Sequence, residues 1–183
     1  MSETKADTTS MGLFFISFLM LVLTLVGFFG FSEADAFFPL YGLSGSVAWI
    51  LTIGFLFVTF SMWKAGAKFV MIIFGLLTAF MFLYSVNVGD GVAGLNVGAQ
   101  WLFMVIAIMM IVLALVALLN KVGFMLTLLL LCAGLVFLFY GLVCGADDGK
   151  TFLLCIGIFA LLSFILSLWL ALAMETELGL PVM

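Results

Sequence analysis

Residues 68–80 read KFVMIIFGLLTAF, with one charge at Lys68 and none after it until Asp90. An uncharged run from Phe69 to Asn87 is long enough to cross a bilayer, whose hydrocarbon layer of about 30 Å takes about 20 helical residues. Gly75, Thr78 and Ala79 interrupt an otherwise bulky apolar segment. Lipid gains nothing from small or hydroxylated side chains, so these positions predict a contact with another helix.

Working outward, five further windows share this character. The six are Met11–Gly30, Phe38–Phe60, Phe69–Asn87, Gly98–Leu119, Val122–Cys144 and Thr151–Met174. The whole chain of 183 residues is 68% hydrophobic and 8% charged, against about 25% charged in soluble domains. The expected fold is therefore all-α: a polytopic membrane protein of six transmembrane helices. It divides into a short N-terminal tail (1–10), a six-helix domain (11–174) and a short C-terminal tail (175–183). The connections are too short for a separate soluble domain, and nothing suits nucleic-acid binding. The first window reads as a retained helix: one lysine precedes it against Glu3 and Asp7, and AFFP follows it.

Charge sets the orientation. With six spans, Lys5, Lys64, Lys68 and Lys121 share a side with both termini, and only Lys150 lies opposite. The positive-inside bias then places both termini in the cytoplasm, for a multi-pass protein of the plasma (inner) membrane. Glu33, Asp35, Asp90, Asp147 and Asp148 fall outside, where they give an outer mouth negative potential. Trp63 beside Lys64, and Tyr41, Trp49 and Trp101 toward the opposite side, suit the headgroup layer. The glycine-rich connection VGDGVAGLNVG reads either as a surface turn or as a re-entrant segment.

The interior chemistry is neutral. The absence of histidine removes a histidine pH switch and haem ligation, and no carboxylate lies well inside a span. Intramembrane proton relays built on acids are thus unsupported. Thr24, Thr78, Asn87 and Gln100 are the candidates for a polar pathway, the two amides being hardest to bury without partners. Single hydroxyls more often bond to carbonyls of their own helix. Cys132, Cys144 and Cys155 read as small hydrophobes, and the 12 methionines as core filling. No catalytic set or cofactor motif is visible, so neither an enzyme nor a cofactor is expected. Gly42, Gly45 and Ala48 form one small-residue face, and Gly75 with Ala79 another. The third and fifth windows also echo each other, with Tyr84 aligned to Tyr140.

SMGLFFISFLM in the first span, FGLLTAF in the third, LCAGLVFLFYG in the fifth and the ending ALAMETE resemble the six-helix acetate–succinate transporters. The likeness covers nearly the whole chain through short apolar motifs. That family opens its first span with an asparagine–proline–alanine–proline–leucine signature; this chain has DTTSMGL there, which puts acetate specificity in doubt. The resemblance implies a hexamer with a pore through each protomer and a hydrophobic constriction, carried onto Phe14 or Phe18, Phe82 and Leu131. It implies a small monocarboxylate substrate such as acetate, with succinate as a further one. FLYSVN, the short GL connection and a following tryptophan are similar to the urea and amide channels, whose acids and histidines are missing here. A non-transporting accessory subunit is the third reading.

Overall fold

The computed structural model describes residues 8–29, 38–89, 97–143 and 150–175. All six elements among them are α-helices: α1 (Thr8–Phe29), α2 (Phe38–Ala65), α3 (Lys68–Gly89), α4 (Val97–Leu119), α5 (Phe124–Val143) and α6 (Lys150–Glu175). Five, α2 to α6, contain stretches long and apolar enough to cross a membrane; in α1 the stretch Thr9–Leu25 is shorter. The architecture is that of a multi-pass membrane protein. Its exposed face agrees, since Ile50, Ile53, Phe57 and Phe60 along α2 and Trp101, Val105, Ile108 and Val112 along α4 are exposed and apolar. So large an apolar surface suits lipid and not water.

The elements outrun the sequence windows furthest at two ends. Helix α1 begins at Thr8, inside the expected tail, and α2 continues through Ser61, Met62, Trp63 and Lys64. The stop of α2 is chemical. Gly66 takes a left-handed φ of 75°, its N–H donates to the Trp63 carbonyl and that of Ala67 to the Met62 carbonyl. Helix α4 ends the same way: Lys121, at φ 55°, donates to Leu118, and Val122 to Ala117. Both are Schellman caps, which satisfy the last carbonyls while reversing the chain.

Helix pairing follows. Antiparallel neighbours α1 and α6, α2 and α3, and α4 and α5 pack most extensively, while α3 meets α4 lightly. Where α1 crosses α6, a Cβ on Gly27 would run into the backbone of Gly157, so only glycine permits this approach. Nearly three turns away, the Ser17 and Ser167 hydroxyls lie 2.8 Å apart, both buried. On the α4–α5 seam, Gly134 receives Ile111 and Gly141 receives Met104. Gly12 lies under the ring of Phe74, bringing α1 and α3 together in parallel.

The small-residue expectations are met unevenly. Gly75 faces Thr59 of α2, and the Thr59 and Thr78 hydroxyls stand 3.3 Å apart across that seam. Ala79 is exposed, so it takes no part in the contact expected of it. Ala48 is buried within the protomer; the surroundings of Gly42 and Gly45 fall outside what is described.

Candidate functional site

The axis of the bundle lies between α1, α3 and α5. At the end carrying the two capped turns, a cavity of about 200 Å³ is walled by Leu13 and Ile16 of α1, Phe74 and Leu77 of α3, and Leu126 and Leu130 of α5, with contributions from α4 and α6. Thr9 is the single polar side chain in that wall, and its hydroxyl lies 3.3 Å from Sδ of Met62. Further along the same three helices lies a smaller cavity of about 40 Å³, walled by Leu23, Phe80, Tyr84, Phe103, Phe137 and Tyr140 among others. Leu19 lines both.

Around the smaller cavity the axis is closed by aromatic packing. The Phe80 and Phe137 rings meet edge to face at 4.9 Å, Phe103 stacks on Tyr140 at 5.1 Å, and Phe80 lies along Tyr84 at 6.1 Å. Tyr84 and Tyr140, aligned in the sequence echo, line the same cavity from parallel helices.

The constriction carried over from the resemblance is displaced. Phe14, Phe18, Phe82 and Leu131 are 41%, 49%, 46% and 40% exposed on the bundle surface and line neither cavity. Phe82 packs edge to face with Trp49 of α2 at 5.8 Å, on the outside. The reason is helical phase. Phe80 and Phe82 are two residues apart, about 200° around a helix, so one points to the axis and the other away. Gly75 and Leu131, which correspond when Tyr84 is aligned to Tyr140, do not face a shared centre: the first faces α2, the second is exposed.

The polar candidates do not converge either. Thr24 donates to the Met20 carbonyl at 2.7 Å and Thr78 to the Phe74 carbonyl at 2.7 Å. Gln100 is half-buried at the α4–α5 seam, its carbonyl near Gly141. Asn87 belongs to α3 with its side chain outside the described residues, as are Glu33, Asp35, Asp90, Asp147 and Asp148 entirely. Thr52, Thr59 and Ser163 are bonded within their own helices. Among the described residues, most serine and threonine hydroxyls stabilise helices and seams, and the side chains along the axis are apolar apart from Thr9, Tyr84 and Tyr140.

The axial residues missed from sequence, Leu77, Phe80, Phe103 and Phe137 above all, carry one usable signal: the tyrosine echo, with an aromatic one turn before each tyrosine. No group of three or more potential metal ligands occurs among the described residues. No protein-family model, curated protein or solved structure matches this chain.

Proposed function

We propose that the chain is a membrane transporter or channel for small monocarboxylates such as acetate. Succinate is a further solute to try. Both termini lie in the cytoplasm, and the protein assembles as a homohexamer in the plasma (inner) membrane. The observation that supports this reading is the pair of cavities in line along α1, α3 and α5, which share Leu19, the aromatic packing around the smaller one forming the neck. A path whose polar side chains are Thr9, Tyr84 and Tyr140 gives a carboxylate too little to replace its hydration, so the uncharged acid is the form that passes. A dry neck also excludes hydrated ions by dewetting.

The test is protein-dependent flux in reconstituted vesicles, because acetic acid also crosses lipid unaided. Labelled acetate, succinate and urea are compared with protein-free vesicles at pH 5 and 7. Phe80→Ala widens the neck and raises acetate flux severalfold, whereas the outward-facing Phe82→Ala leaves it unchanged. Flux of urea alone would favour the amide-channel reading. Flux equal to protein-free vesicles for every solute, with folding verified, would leave the accessory-subunit reading.

A further inference from the structure

The larger cavity has a shape and composition that acetate does not use. It reaches the bundle end at Thr9, Val122 and Gly123 and runs inward to Met20 and Ala133. From Thr9 to Met20 the helix rises about 16 Å. A dry cavity of about 150 Å³ holds a benzene-sized apolar ligand, so about 200 Å³ corresponds to roughly eight carbons by proportion. That is too little for the two chains of a phospholipid. The wall is apolar throughout except at its rim. There Lys68 precedes wall residue Val70 by two positions, and Lys121 precedes Val122 by one. Both lysines are exposed. Glu175, which follows Met174 of the wall, is the one acid in the described helices.

Resting on the monocarboxylate reading, we propose that this cavity binds a single-chain carboxylate of about eight carbons. The chain lies against α1, α3 and α5, and the carboxylate is held in the headgroup layer at the Thr9, Lys68 and Lys121 rim. The apolar wall selects for the chain, and the cationic rim selects an acid over an alcohol of the same length.

Saturable binding of labelled octanoate to the full chain in lipid nanodiscs, against empty nanodiscs, tests this. Octanoate binds at one per chain, acetate at least about a hundredfold more weakly because it lacks six methylenes, and octanol about threefold to fivefold more weakly. Lys121→Gln lowers octanoate affinity about threefold to fivefold and leaves octanol unchanged. Ala133→Phe shortens the inner end, so hexanoate overtakes octanoate. The proposal is overturned by octanoate uptake equal to empty nanodiscs. It is overturned equally by octanol matching octanoate with Lys121→Gln inert, or by a folded Ala133→Phe with unchanged chain-length preference. A co-purifying phospholipid that octanoate cannot displace would also overturn it. Acetate flux without octanoate binding removes this site and keeps the transport reading; octanoate binding without any flux does the reverse.

Discussion

At the scale of single residues, the glycines divide by what a methyl group would meet. At Gly27 it meets the backbone of Gly157, which cannot rotate aside. Gly27→Ala should therefore lower stability by about 1–3 kcal/mol, the range for overpacking, seen as a lower melting temperature in nanodiscs. At Gly75 the nearest neighbour is Cγ2 of Thr59 at 3.6 Å, an ordinary contact. Gly75→Ala should be neutral or stabilising by up to about 1 kcal/mol, through helix propensity and a less flexible unfolded chain. A melting loss at Gly75 equal to that at Gly27 would contradict this division. Small residues in the sequence mark helix contacts, but only the crossing geometry tells which of them are indispensable.

At the scale of elements, the two capped turns make a paired experiment. Gly66 and Lys121 occupy equivalent left-handed positions after α2 and α4, and such a conformation costs a residue with a Cβ about 1–2 kcal/mol. Gly66→Ala should destabilise by about 1 kcal/mol, and Lys121→Gly should stabilise by up to a similar amount. Hydrogen exchange in the last turns of α2 and α4 checks both, with faster exchange for the first and slower for the second. The helices themselves were legible in the sequence because uncharged length alone defines a span. Their rotation was not. When lipid and core are equally apolar, a helix such as α3 carries little contrast between faces, so Phe80 on the axis and Phe82 beside Trp49 read alike. The same blindness misplaced Phe14, Phe18 and Leu131. Polar residues offered no correction, since Thr24 and Thr78 turned their hydroxyls back to their own helices.

For the whole molecule, three antiparallel pairs surround one axis, and among the described residues Lys64, Lys68 and Lys121 are exposed outside it. On the proposed reading, protein-dependent acetate uptake should rise as external pH falls, because the neutral acid suits a dry neck and protonation would also relieve the negative outer mouth expected from the sequence. Changing Glu33, Asp35, Asp90, Asp147 and Asp148 to amides should weaken that dependence; identical profiles at pH 5 and 7 would remove the mouth's contribution. Assembly is checked by native mass measurement in several lipid mimetics, where a hexamer is the expected species and a persistent monomer would count against it. Because Ala48 is already buried within one chain, such assembly would use exposed apolar faces, among them those of α2 and α4.

The tight crossing of α1 and α6 has a consequence for biosynthesis. α2–α3 and α4–α5 are joined by short turns and can pair as soon as each hairpin leaves the ribosome. Helix α1 must wait for α6, with Phe29 and Lys150 separated by four intervening helices. At about 5–20 residues per second, that delay is roughly 6–24 s. During it, the glycine at position 27 and the serine at 17 face the membrane or the insertion machinery without their final neighbours. Nascent α1 is thus the segment most in need of a temporary companion, and crosslinks from position 17 should pass from insertion factors to α6 only after Ser167 has entered the bilayer.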